Sequence, residues 1–227
     1  MTEQAGGSNP RAGGVRPPGR ARAVIRIGDL RPTDHVLDVG CSEGWVALEV
    51  APFVARLHGL DIRPPRVQRA AEHAAQRGIR NASFEATAIQ DYPFEPRSWD
   101  VTLFMRVWSK GAGARGVGEA EFERVLQATR RQAIVQAGKR RSDEHLRPIL
   151  EICHDQGFDA AWFREQHLIV ANRRGAGARV RALPDRVVVP GPSGPVLVPA
   201  ATRPDHPVVR SFDPDPRKAA KDARTLS

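Results

Sequence analysis

The sequence predicts an α/β fold: a doubly wound, seven-stranded, mostly parallel sheet with an antiparallel terminal hairpin, helices on both faces, and a short C-terminal β extension. Three observations predict it. From Val24 onward, short apolar runs of β type alternate with amphipathic stretches of helical period. The first apolar run enters a Gly-containing turn that leads into a helix, the β-to-α joint of such sheets. The last two runs of the central segment are linked only by Arg164-Glu165-Gln166. A parallel crossover needs roughly a dozen residues, so those two runs pair antiparallel.

Residues 1–22 are rich in Gly, Pro and Arg and nearly devoid of apolar side chains, a composition that cannot offset the entropy of ordering; they are expected to form a disordered basic arm. The folded domain is expected over residues 23–173. Its strands are His35–Val39, Leu57–Ile62, Ala82–Ala86, Asp100–Met105, Gln132–Gln136, Phe158–Phe163 and His167–Ala171. Between them, Val67, Ala70, Ala71, Ala74 and Ala75 recur at helical spacing, as do Phe122, Val125, Leu126 and Thr129, and then Leu146, Ile149, Leu150 and Ile152. Punctuation agrees: Pro64 and Pro65 suit a helix opening, while Gly78 and Gly157 suit helix ends. Residues 174–227 are expected to form a Pro/Arg-rich extension. In it, Gly191-Pro192-Ser193-Gly194 between two valine clusters predicts a small β-hairpin, followed by a disordered end.

The chain of 227 residues carries 35 Lys+Arg against 26 Asp+Glu, a net charge of +9. That excess is unevenly placed: residues 1–31 hold +4, residues 32–172 hold −1, and residues 173–227 hold +6. A core domain shaped around a nucleic-acid backbone needs its cations on the folded part, so the sums argue against one and leave the basic tails as the contacts for any RNA. The longest uncharged C-terminal stretch, residues 187–202, carries four prolines and cannot be a spanning helix. With Glu3 and no apolar run at the amino end, the chain reads as a cytoplasmic protein without membrane attachment. Cys41 and Cys153 stand far apart, and the histidines lack ligand spacing, so neither a disulfide framework nor a metal site is expected. Trp45, Trp99 and Trp162 are expected in the core.

The chemistry concentrates in Val36-Leu37-Asp38-Val39-Gly40-Cys41-Ser42-Glu43-Gly44-Trp45. A dinucleotide fingerprint would set three glycines where this loop has Asp38, Gly40 and Glu43. Two carboxylates beside a diphosphate repel it, so the loop suits a ligand that carries positive charge. A second acid, Asp61, ends the next strand 23 residues after Asp38; a carboxylate there can grip the adjacent hydroxyls of a ribose.

These residues resemble motif I and the acid after the second strand in the class I S-adenosylmethionine-dependent methyltransferases, and the resemblance covers roughly residues 30–172. It implies S-adenosylmethionine as cofactor. The backbone of Gly40, Cys41, Ser42 and Gly44 would wrap its methionine part, with Asp38 near the ammonium group. Asp61 would bind the ribose, and Ile62 would pack on the adenine. Where many members carry an acid for the adenine amino group, this sequence has Ala88. Either the backbone at Ala88 and Ile89 recognises the adenine, or Gln90 or Asp91 supplies the acceptor. The resemblance further places Phe104 at the cofactor and Arg106, Trp108, Ser109 and Lys110 on the acceptor side. It implies methyl transfer to an oxygen or nitrogen of a small-molecule acceptor, with no universal catalytic residue to name. Two alternatives stand: a tRNA or rRNA methyltransferase that uses the basic tails, and a catalytically inactive binding or regulatory protein.

Overall fold

A computed structural model describes residues 19–105, 117–136, 143–191 and 194–212. Its strands are β1 (His35–Val39), β2 (Arg56–Asp61), β3 (Ala82–Ala86), β4 (Trp99–Met105), β5 (Thr129–Gln136), β6 (Phe158–Phe163), β7 (Leu168–Arg173), β8 (Arg186–Val189) and β9 (Val196–Pro199). All nine form one sheet in the order β3-β2-β1-β4-β5-β7-β6-β8-β9. The first five are mutually parallel, and β7, β6, β8 and β9 follow antiparallel. Among the described residues, the expected count of seven is therefore corrected to nine. The predicted C-terminal hairpin forms, with Val187 opposite Val198 and Val189 opposite Val196, but it docks on β6 and prolongs the main sheet.

The helices are α1 (Gly19–Ile27), α2 (Ala47–Val50), α3 (Pro64–Gln76), α4 (Glu119–Ala128), α5 (Asp143–Asp155) and α6 (Pro207–Arg210). Two apolar layers cover the sheet. On one face α1, α2 and the C-terminal segment bury Val24, Ile27, Ala47, Val180 and Val208 against Val36, Val101 and Ile134. On the other, Phe122, Val125 and Leu126 of α4 and Leu146, Ile149 and Leu150 of α5 cover Leu37, Phe104 and Val135.

Two expectations change here. Residues 19–22, assigned to the disordered arm, lie in α1, where Ala21, Val24 and Ile27 recur at three-residue steps and are fully buried. The described part of the C-terminal extension is built into the core: β8 is buried on both faces, Val187 and Val189 on one and Val188 on the other. Residues 1–18 and 213–227, expected to be disordered, lie outside the described residues. Among the described residues no helix is long and apolar enough to cross a membrane.

Where β5 begins, a buried polar network ties distant segments together. Arg131 donates to Asp29 Oδ2 and Asp34 Oδ2, both at 2.6 Å, and to the Asp29 carbonyl. Gln132 accepts from Asp29 N and donates to Asn172 and to the Arg179 carbonyl. Four segments, at the end of α1, the start of β5, β7 and the C-terminal stretch, thus share one set of satisfied hydrogen bonds. Burial raises the Asp34 carboxyl above its ordinary value, against the lowering pull of Arg131.

Candidate functional site

The site forms where β1 and β2 end. Gly40 (φ 73°), Ser42 (φ 54°) and Gly44 (φ 79°) are all left-handed, so the chain folds back within a few residues of β1. Gly40 N and Cys41 N both donate to the Leu60 carbonyl, at 2.7 and 2.9 Å, which pins the loop to the end of β2. Gly59 allows that approach: a Cβ there would lie 2.9 Å from Cys41 Sγ and 2.7 Å from Phe84. Ser42 is the non-glycine residue held left-handed, and its N–H donates to Asp61 Oδ2 at 2.9 Å. The turn and the acid after β2 are therefore one unit.

Asp61 is 6% exposed. Besides Ser42 N on Oδ2, its Oδ1 accepts from Arg63 N at 3.0 Å and Arg63 Nε at 3.3 Å. A carboxylate offers about four acceptor positions, so capacity for a further donor remains. Asp61 does not cap α3, whose N-cap is Arg63. Arg66 in the first turn of α3 donates to Ser42 Oγ at 3.0 Å. Arg63 and Arg66 are parts of the site that sequence reasoning missed. Their positions two and five residues after Asp61 were the available signal.

Asp38 is 1% exposed, and its Oδ1 has no hydrogen-bond partner. Burial, with the neighbouring Asp61 charge adding, pushes its pKa up to about 7. An orphaned carboxyl oxygen behind this loop, with a second carboxylate close by, fits a cationic ligand and disfavours a diphosphate. The same burial, assisted by both aspartates, raises the Cys41 thiol far above physiological pH, so Cys41 is no thiolate nucleophile.

A cleft of about 240 Å³ opens at this end of the sheet, lined by Val39, Gly40, Leu60, Asp61, Ile62, Arg63, Thr87, Ala88, Ile89, Gln90 and Val117. Of the expected site residues, Gly40, Asp61, Ile62, Ala88 and Ile89 meet in it. Ile62 is 50% exposed on its rim, available to pack on a flat ring. Cys41, Ser42 and Gly44 shape the adjoining loop. Ala88 has its carbonyl bonded to Asp91 N, and Gln90, not Asp91, stands among the lining residues. Phe104 is not brought there: it is buried edge-to-face on Phe122, inside the layer under α4. Trp45, expected in the core, is 47% exposed and rests against His73. Arg106, Trp108, Ser109 and Lys110 lie outside the described residues.

A sheet in this order, with a glycine turn after its first strand and an acid after its second, is an open α/β fold whose ligand crevice lies at the carboxyl ends of its strands. Over residues 36–132 the chain matches the family model described as a methyltransferase domain. Over 78 residues it is 30% identical to the uncharacterized methyltransferase YcgJ of Bacillus subtilis, covering 34% of this chain and 31% of that one. Over 85 residues it is 31% identical to the aklanonic acid methyltransferase DauC of a Streptomyces species, covering 36% and 39%. The chain thus spans about a third of the length of these curated relatives. Among solved structures, magnesium protoporphyrin IX methyltransferase from Synechocystis, crystallised with bound S-adenosylmethionine, shares the fold with a TM-score of 0.50 and 19% identity, over 63% of this chain and 71% of that one.

Proposed function

We propose that the chain transfers the methyl group of S-adenosylmethionine to an oxygen or nitrogen atom of a small-molecule acceptor. The observation that carries this reading is the pair of carboxylates at one turn: Asp38, buried with an orphaned oxygen, and Asp61, with acceptor capacity left at the cleft. The cofactor supplies an electrophilic sulfonium methyl; the protein's task is to hold it. Gly40 to Gly44 wrap the amino-acid part, Asp38 balances its ammonium charge, and Asp61 accepts from the ribose hydroxyls. Ile62 and Ile89 offer apolar contact to the adenine. Thr87 and Gln90 bring polar side chains to the lining that can meet the adenine amino group, since the Ala88 side chain cannot.

Methyl transfer is a direct displacement, so alignment and exclusion of water can supply on the order of 7–11 kcal/mol of the acceleration without a general base. A small acceptor is supported by the relative that acts on aklanonic acid.

Calorimetric titration with S-adenosylmethionine tests the reading. The wild-type chain should bind it, and Asp61→Ala should weaken binding tenfold or more, since charged hydrogen bonds contribute about 1.5–3 kcal/mol each. No heat at millimolar ligand sinks the cofactor assignment and leaves the inactive-protein alternative. Label transferred from the cofactor to bulk RNA, and not to small-molecule extracts, overturns the choice of acceptor.

A further inference from the structure

A second hollow, about 850 Å³, lies at the opposite edge of the sheet, where β1, β4 and β5 begin and β7 ends. It is separated from the cleft by the length of β1, about 15 Å for a five-residue strand. Six arginines line it: Arg31, Arg97, Arg130, Arg131, Arg173 and Arg174, against the two carboxylates Asp34 and Asp100. We infer that this hollow is a second binding site, for a phosphate group, whether carried by a small phosphorylated molecule or by an RNA backbone.

The pairing of the charges argues for it. Arg131 is buried and committed to Asp29 and Asp34, and Arg31 also pairs with Asp29. Arg130 pairs with Asp100, and Arg174 with Asp159. Among the described residues no carboxylate lies within ion-pair distance of Arg97 or Arg173. Arg173 is held rigidly by the carbonyls of Leu126, Thr129 and Gln156 and sits 4.4 Å over the Phe158 ring. Burial, followed by the charge of Arg97, lowers its pKa; both guanidinium groups line the hollow, and neither is ion-paired among the described residues. A purely structural network would have paired them with an acid. Arg130 and Arg174, about half exposed, stand beside them with spare donors. Guanidinium forks match phosphate oxygens in pairs, which makes phosphate the fitting anion.

The test titrates the full chain at low salt with pyrophosphate and, separately, with a 12-nucleotide single-stranded RNA. The comparison protein carries Arg97→Glu and Arg174→Glu, both exposed positions outside the cleft. The wild type should bind at least one probe, and the double variant should bind it at least tenfold more weakly. If RNA is the partner, the slope of log affinity against log salt should fall by about 1.4, for two lost phosphate contacts. Arg97→Ala alone, which breaks no ion pair, should lose about threefold or more. Tight pyrophosphate with weak RNA identifies a small phosphorylated ligand; the reverse identifies an RNA backbone. Binding of neither probe by the wild type overturns the inference, as does equal binding by the variants. Loss of S-adenosylmethionine affinity in the double variant overturns the separation of the two sites. Since that cofactor is titrated independently, failure here is distinguishable from failure of the proposed function.

Discussion

Asp38 illustrates how much of the site a sequence carries. An acid two residues before Gly40, on an apolar strand, was legible as a partner for positive charge because its residue type and position alone set that chemistry. Its protonation was not legible, because it depends on burial and on Asp61 lying nearby in space. The pKa of about 7 gives a signed expectation. The free carboxyl is largely protonated at pH 6, while a cationic ligand favours its ionised form. Binding should therefore release a proton, and affinity should rise between pH 6 and 7.5, below the ordinary α-amino range of about 7.7–8.0. Calorimetry at pH 6.5 in buffers of different ionisation enthalpy should register that proton, and Asp38→Asn should abolish both the release and the pH dependence. The same shift affects folding in the opposite sense. The unfolded carboxyl ionises near 3.8, so Asp38 costs stability as pH rises from about 4 to about 7. Arg63 and Arg66 stayed unread because their partners, Asp61 and Ser42, are fixed by the loop's path and not by spacing.

At the scale of elements, the first seven strands were legible to within three residues at each end, since short apolar runs bounded by turn residues report a strand directly. Helix α1 was not. Its nine residues, Gly19 to Ile27, include Arg20, Arg22 and Arg26, and that composition concealed the buried stripe of Ala21, Val24 and Ile27. What holds the end of α1 in place is also invisible in a linear reading: Asp29 and Asp34 reach Arg131 across a separation of about a hundred residues. Arg131→Ala would leave two buried carboxylates without their shared cation. Losses of that kind run to about 3–5 kcal/mol, so the urea midpoint should fall steeply. Affinity for S-adenosylmethionine, measured where the variant is still folded, should change little, because the network lies at the far edge of the sheet. A loss of unfolding free energy below about 1 kcal/mol would show that the buried cation is dispensable.

For the whole molecule, linear sums of charge and of composition average over faces that the fold separates. Residues 32–172 sum to −1, yet the fold brings Arg97, Arg130 and Arg131 of that segment beside Arg31 from the preceding part and Arg173 and Arg174 from the following one. Likewise, the change of composition after Asn172 marks no boundary in the structure. The chain beyond it returns to α1 through Arg181 N, which donates to the Ile27 carbonyl, and to the buried network through the carbonyls of Ala178 and Arg179. It also lays β8 on β6. A chain ending at Arg173 would lose Val180, Val187 and Val208, each fully buried and each contributing roughly 1.5–3 kcal/mol. It would also strip Gln132 and Asn172 of acceptors they use in the core. Against a typical total of about 5–15 kcal/mol, that loss is enough to abolish cooperative folding. Residues 1–173 produced alone should therefore show no sharp thermal transition and should expose apolar surface to a dye such as ANS, although every cofactor-site residue is present. A cooperative melt within a few degrees of the full chain, with unchanged affinity for S-adenosylmethionine, would show that the hairpin is an appendage after all.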